Sequence, residues 1–318
     1  MKATLGMNYR ALSSELQNLS GRLYDLRQQA ATGKKFNKPS DNPGAIRPLL
    51  NYRVQTEMTH RYLDHMAVAQ GDMQLLDSGL GYIEDILVRA KELGIAAING
   101  INTDEDRKIY ADHIGMLFDE LLQAANNQTN GRFAFAGYQD TTVPFTENPA
   151  YDPDGYDPGD SSTWPVSYHG DHNVKSIEIA YGKRIHIALT GNELFLGDAD
   201  NDQSVDSGSM NLFAVLKHVE KAVRENDWTK MNEGLEELEN GAEQVRRLRG
   251  RMGNNARRIE KATEQLNEAS IEFRQILSRY EDADILDVYS KLIQQESAFE
   301  AALNVTARVS RLSILNFM

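Results

Sequence analysis

The chain has 318 residues and a formal net charge of −13, from 34 basic and 47 acidic side chains, and its apolar fraction of 41% is typical of a folded protein of about two domains. This acidic balance argues against nucleic-acid binding, because neutralising phosphates needs a surplus of Lys and Arg. The absence of cysteine excludes disulfides, thiolate catalysis and Cys-based zinc sites.

The N-terminal part of the chain carries apolar residues at the spacing of long helices. In the first stripe, steps of three, four and seven residues place all members on one helical face. Its members are Leu5, Leu12, Leu16, Leu19, Leu23, Leu26 and Ala30. A second stripe with this spacing runs from Tyr62 to Ala90, and a shorter helix is expected at about 104–127. The first 38 residues contain no proline, which would cost ~3 kcal/mol inside a helix.

The C-terminal part carries two stripes of the same kind. One runs from Ile259 to Tyr280, and the other alternates by three and four residues from Ile285 to Val309. No proline occurs in the last 153 residues, so nothing there interrupts a long helix. Antiparallel, coiled-coil-like packing of these helices against those of the N-terminal part would bury the stripes.

The middle of the chain has a different composition. Residues 140–210 contain 13 acidic and three basic side chains, a net charge of −10, and five of the eight prolines. Alternating apolar and polar residues at 175–181 and 185–189 predict strands. The sequence therefore predicts a mainly α protein with a small β-rich insert, in which long antiparallel helices from both termini form a rod that carries an outer β domain. We expect three parts: a terminal helical pair of 1–45 and 281–318, a helical rod of 46–139 and 211–280, and an outer domain of 140–210.

The two ends of the chain are expected to pair and to drive assembly. Residues 1–45 have a net charge of +4 and residues 281–318 a net charge of −3, so the terminal helices attract each other. Because two helices with one apolar stripe each bury little core, we expect full order only when neighbouring subunits cover them. The predicted assembly interface consists of Leu5, Leu12, Leu16, Leu19, Leu23, Leu26, Ile285, Val288, Leu292, Phe299, Leu303, Val309 and Leu312.

Motifs for catalysis, cofactors and membranes are missing. No phosphate-binding loop, dinucleotide fingerprint or nucleophile elbow is present, so we expect no enzyme activity, no catalytic residue and no cofactor. No stretch approaches the ~18 consecutive apolar residues of a membrane span, so we expect no membrane partner. The first 17 residues lack the apolar core of a secretory signal, so an extracellular location would require export without a cleaved signal.

An acidic string and a basic cluster each have a simple structural interpretation. Residues 198–206 place oxygen side chains at alternate positions, as calcium loops do. However, Gln203 stands where the sharp turn needs Gly, and Ser209 where a bidentate Glu would close the site, so we expect a solvated turn without metal. The basic cluster at 246–251 lacks interleaved aromatic residues, so we expect it, with Arg257 and Arg258, to pair with acidic neighbours on its helix such as Glu236, Glu237 and Glu239.

Segment 30–45, AATGKKFNKPSDNPGA, joins the first two predicted helices. Gly33 can end the first helix, Ser40 or Asp41 can cap the next, and Pro43 is tolerated in its first turn. The segment resembles the characteristic turn of the flagellin superfamily in the form of its hook–filament junction members, with Lys38 as one inserted residue. The resemblance makes this a helix-break motif of Gly33, Lys34, Asn37, Pro39, Ser40, Asp41 and Pro43.

Three further segments are similar to the same family. Residues 130–145 resemble the start of its outer domain, and residues 290–304 and 312–318 resemble its C-terminal helix. This resemblance implies three parts with a solvent-facing outer domain, and export through the flagellar type III apparatus without cleavage. It further implies a ring of identical subunits between hook-associated protein 1 and flagellin, and an export chaperone on the C-terminal region.

Two alternatives to a junction member stay open. A flagellin that forms the filament itself would share the paired ends, although segments 39–43 and 133–145 favour the junction form. A calcium-binding adhesive or enzymatic surface module would instead use the acidic string at 198–206.

Overall fold

Long helices dominate the protein, and short strands are confined to its middle. The computed structural model describes residues 2–38, 40, 42–99, 102–129 and 131–315, with side chains for 7, 10–38, 40, 42–99, 102–129 and 131–308. In these residues the helices are α1 (Lys2–Thr32), α2 (Pro43–Ala97), α3 (Asp104–Ala125), α4 (Leu212–Glu225), α5 (Trp228–Glu281) and α6 (Ile285–Leu315). The strands are β1 (Gln128–Thr129), β2 (Arg132–Phe133), β3 (Phe145–Glu147), β4 (Val166–Tyr168), β5 (Ser176–Ala180) and β6 (Lys183–His186). They pair as three antiparallel hairpins, β1 with β2, β3 with β4 and β5 with β6.

This architecture confirms the predicted fold class, a mainly α protein with a small strand-containing insert between long helices. The helix expected at about 104–127 is found at Asp104–Ala125. It begins with a capping box, in which the Thr103 hydroxyl accepts from the Asp106 N–H and the Asp106 carboxylate accepts from the Thr103 N–H. Pro48 lies inside α2, six residues from its start, so proline does not end a helix there.

Contacts divide the chain into two compact units. Unit 1 consists of Met1–His60 and Asn267–Met318, and unit 2 of Arg61–Leu266. In unit 1, α1 packs antiparallel against α6. The first turns of α2 also meet the last turns of α5, where the rings of Tyr52 and Phe273 lie 5.9 Å apart. The predicted boundaries of the three parts stay a prediction.

Unit 2 has one apolar core, to which the helices and the insert both contribute. The predicted stripe of α2 supplies Met66, Ala69, Met73, Leu80, Ile83, Leu87 and Ala90, all of them buried. On α5, Ile259 is buried, and helices α3 and α4 pack together through Phe118 and Phe213 at 5.6 Å between ring centroids. Phe145, Trp164 and Ile185 of the insert belong to the same core.

An aromatic cluster joins the hairpin β3–β4 to the helices of unit 2. The ring centroid of Phe145 lies 5.0–5.6 Å from those of Tyr168, Phe195 and Phe213. Phe195 belongs to a π-helical turn, Asn192–Leu196, which the sequence pattern did not predict. In the part of the chain that the structure describes, no helix combines the length and apolar character needed to cross a bilayer.

Candidate assembly surface and helix break

The apolar stripes of α1 and α6 face each other within one subunit. Leu19, Leu23 and Val288 are buried there, with exposed fractions of 9%, 5% and 5%. The other predicted interface residues of the pair are half-buried, namely Leu12, Leu16, Leu26, Leu292 and Phe299. Ile285 and Leu303 are exposed. The predicted interface residues Leu5, Val309 and Leu312 lie outside the residues whose side chains the structure describes.

Helix α6 has a second apolar stripe, which faces solvent. Leu286, Tyr289 and Ile293 are 83%, 50% and 63% exposed, and their spacing of three and four residues places them on one face. These residues were not predicted, because the prediction used only the stripe that starts at Ile285 and Val288. The signal was available, since apolar residues at 285, 286, 288, 289, 292 and 293 cover more of the helix than one seam needs.

Charge adds little to the pairing of α1 with α6. Arg27 Nη2 lies 2.9 Å from Glu296 Oε1, but both side chains are more than 40% exposed. Exposed ion pairs of this kind contribute about 0–1 kcal/mol. Apolar burial around Leu19, Leu23 and Val288 therefore holds the pair together, and the charges favour its antiparallel register.

The helix break between α1 and α2 is built as the sequence predicts at its start. Helix α1 ends at Thr32, and Gly33 takes a left-handed conformation with φ of +69°, which glycine adopts without strain. Helix α2 begins at Pro43, and its cap is Asn42, whose Oδ1 accepts from the Ala45 N–H at 3.2 Å. Asn42 thus stands at the cap expected of Ser40 or Asp41. Pro39 and Asp41 lie outside the described residues.

A half-buried glutamate, Glu281, ties this break to the end of α5. Lys34 Nζ donates to Glu281 Oε2 at 2.8 Å, and Arg53 Nε donates to Glu281 Oε1 at 2.7 Å. Burial acts to raise the pKa of Glu281, but the hydrogen bonds from Lys34 and Arg53 outweigh it and lower the pKa below its ordinary value. Backbone bonds continue the link, since Lys35 N–H donates to the Glu281 carbonyl and Ala283 N–H to the Gly33 carbonyl. Sequence reasoning placed Lys34 in the motif but gave no sign of Glu281.

The break also borders an open cleft of about 760 Å³. Its lining mixes polar and aromatic side chains from both sides of the break, including Asp25, Gln28, Phe36, Asn42, Arg279 and Tyr280.

Three arginines of the cluster on α5 form ion pairs, mostly with more distant acids than expected. Arg246 pairs with the predicted Glu239 and with Glu84 of α2. Arg249 donates to both oxygens of Asp77, at 2.7 and 3.0 Å. Arg251 pairs in the same two-pronged way with Glu193, at 2.6 and 2.7 Å. Of the other expected partners, Glu237 instead faces His218.

Comparison with known proteins finds flagellin-like regions at both ends of the chain. The family described as "Bacterial flagellin N-terminal helical region" matches residues 5–140, and "Bacterial flagellin C-terminal helical region" matches residues 235–318. The flagellar hook-associated protein 3 of Salmonella typhimurium is 24% identical over 99% of this chain and 98% of its own length. Polar flagellin E of Vibrio parahaemolyticus is 25% identical over 64% of this chain and 49% of its own length.

Solved structures share the fold. The flagellar hook-associated protein 3 of Legionella pneumophila superimposes with a TM-score of 0.60 at 13% identity, over 72% of this chain and 97% of that structure. The proteins that the chain resembles are structural components of the flagellum and not enzymes, which agrees with the absence of catalytic motifs.

Proposed function

We propose that this chain, which belongs to the flagellin superfamily and has a structural role in the bacterial flagellum, forms the junction layer between hook and filament. In this proposal a ring of identical subunits contacts hook-associated protein 1 on one side and flagellin on the other. Export proceeds without a cleaved signal, with a chaperone on the C-terminal region before secretion.

Coverage of the relatives supports a junction protein over a filament-forming flagellin. The similarity to hook-associated protein 3 extends over 98% of that protein, whereas the similarity to polar flagellin E stops at 49%. A flagellin remains the second candidate, because both families share the terminal helices that the chain matches at 5–140 and 235–318.

The exposed stripe of α6 is the observation that carries the assembly mechanism. In the isolated subunit, Leu286, Tyr289 and Ile293 leave a continuous apolar strip in water beside the buried pair. Burying such side chains against a neighbour contributes about 25 cal/mol per Å² of apolar surface. The predicted interface residues accordingly take two roles. The inner stripe around Leu19 and Val288 makes the pair, and exposed residues such as Leu303 join the outer stripe against the next copy.

Immunoelectron microscopy of intact flagella tests the location. An antibody to this chain is expected to label one narrow band where hook meets filament. Label along the whole filament would make the chain a flagellin, and flagella without any label would refute a flagellar role.

A pair of matched variants tests the assembly surface. Ile293→Asp places a charge in the outer stripe and is expected to stop incorporation into flagella while the helical circular dichroism signal is retained. Ile271→Asp is the control, because Ile271 is similarly exposed, at 57%, but lies on α5. Normal incorporation of Ile293→Asp, or equal loss for Ile271→Asp, would contradict the assignment of the outer stripe.

A further inference from the structure

Three carboxylates converge in the acidic loop that follows the π-helical turn. Asp198, Asp200 and Asp202 each bring one carboxylate oxygen within 4.8 Å of the other two. Asp200 and Asp202 are exposed, whereas Asp198 is buried, with only 2% of its surface accessible. The three like charges repel one another at this distance, and a cation among them would relieve that repulsion.

The strongest indication of a ligand is one atom of Asp198. Its Oδ2 accepts from the Gln203 N–H at 3.2 Å, whereas its Oδ1 is buried and has no hydrogen-bond partner among the described residues. A buried carboxylate oxygen without a donor carries an uncompensated desolvation cost. A bound cation would satisfy Oδ1 directly.

The backbone of the loop makes the sharp turn for which the sequence offers no glycine. Gln203 takes a left-handed conformation with φ of +67°, and so does Asn201 with φ of +62°. Gln203 therefore makes the sharp turn that calcium loops usually give to glycine. The bidentate ligand of calcium loops is still missing, because Ser209 offers no carboxylate.

Contacts outside the loop hold this conformation. Asn192 Nδ2 donates to Asn201 Oδ1 at 2.8 Å, and Ser161 Oγ donates to Gln203 Oε1 at 3.2 Å. The Val205 N–H donates to the Pro158 carbonyl at 2.8 Å. The three carboxylates are thus positioned by unit 2 before any ion binds, which reduces the ordering cost of binding.

We propose that Asp198, Asp200 and Asp202 bind one calcium ion. Hard oxygen ligands suit Ca²⁺, which accepts 6–8 ligands, and water or backbone carbonyls would complete its shell. Mg²⁺ demands near-octahedral geometry and keeps most of its water, so it fits three converging carboxylates less well. Because a bidentate glutamate is missing, we expect a dissociation constant in the range of extracellular calcium modules, about 10⁻⁴–10⁻³ M. The ion would also offset part of the −10 charge of residues 140–210.

Calorimetric titration of the full, chelator-treated chain with CaCl₂ tests the site. We expect one ion per chain and, at ~100-fold excess over the dissociation constant, a rise of roughly 5–10 °C in the melting temperature. Asp200→Asn and Asp202→Asn should each weaken binding at least about tenfold with unchanged circular dichroism, since both side chains are exposed. Asp152→Asn is the control, because it removes one exposed carboxylate from a separate acidic turn, in which Asp152 Oδ1 accepts from the Asp154 N–H.

Each contrary outcome refutes the site in a different way. If no heat of binding is measured up to about 10 mM CaCl₂, the loop is a solvated turn without a calcium site. Unchanged binding by both Asp200→Asn and Asp202→Asn would place the ion elsewhere, and equal weakening by Asp152→Asn would reduce binding to general charge screening. A dissociation constant for MgCl₂ equal to that for CaCl₂ would overturn the assignment to calcium.

Discussion

Phe145 couples the folding of the acidic insert to that of the helices. Its side chain is 1% exposed and packs against three rings, those of Tyr168 on β4, Phe195 in the π-helical turn and Phe213 on α4. Asn126, at the end of α3, also bonds both backbone groups of Phe145, at 2.9 and 3.0 Å. This residue therefore connects the hairpin β3–β4 to the helical core of unit 2.

Replacing Phe145 with alanine should destabilise all of unit 2. Deleting a fully buried phenylalanine side chain costs about 3–5 kcal/mol, including the cavity that remains. The three lost ring contacts favour the upper part of that range, since each aromatic pair adds about 0.5–1.5 kcal/mol beyond its area. A loss of about 4 kcal/mol should lower the melting temperature of a unit of this size by roughly 8–16 °C.

Thermal melts followed at two wavelengths separate the possible outcomes. Helical ellipticity at 222 nm reports the helices, and near-ultraviolet ellipticity reports the aromatic cluster. For Phe145→Ala both signals should shift together, whereas the control Tyr181→Ala, which removes an 89% exposed ring at the tip of β5–β6, should change the midpoint by less than about 2 °C. If Phe145→Ala loses only the near-ultraviolet signal while the helical midpoint is unchanged, the shared core does not exist.

Two further predictions concern single positions. The pKa of Glu281 is lowered on folding, so its ion pairs stabilise the chain above the unfolded pKa of about 4.5 and this contribution disappears as the pH falls through the lower, folded pKa. The free energy of unfolding measured in urea should therefore be about 1 kcal/mol higher for wild type than for Glu281→Gln at pH 7. The two values should converge in acid, and a difference that persists at pH 2 would contradict this. Gly137→Ala should lower the melting temperature far more than Gly131→Ala, because both positions have positive φ but only at Gly137 would a Cβ overlap the Asp171 side chain. Equal effects would refute that packing.

Periodicity was enough to predict the long helices α1, α2, α5 and α6 and their buried faces, whereas α4 was not predicted as a separate helix. The stripe from Tyr62 to Ala90 is buried in unit 2 almost throughout, and Leu19, Leu23 and Val288 are the most buried residues of the α1–α6 pair. Local spacing determines which residues share a face, and the core has to cover that face, so such predictions need no knowledge of the partner.

Contacts between distant parts of the chain could not be predicted in this way. Glu281 meets Lys34 and Arg53 across more than 220 residues, and Phe195 joins the aromatic cluster from a π-helical turn. No local pattern marks these contacts, because each depends on where the helices cross. The outer stripe of α6 was missed for a different reason, since a single seam was assumed where the sequence carries two.

The short strands explain why the insert shares the core of unit 2. Each strand has between two and five residues and each sheet has two strands, which is too little for a hairpin to be stable alone in water. Phe145, Trp164 and Ile185 bury their side chains against helices instead, so the insert is held by the helical core. With its apolar residues turned inward, the insert presents about half of its acidic residues to solvent, whereas Asp198 is buried. In the described part of the chain, Asp198, Asp200 and Asp202 are the group of three carboxylates whose oxygens lie within 4.8 Å of one another, so a cation bound there would stabilise unit 2.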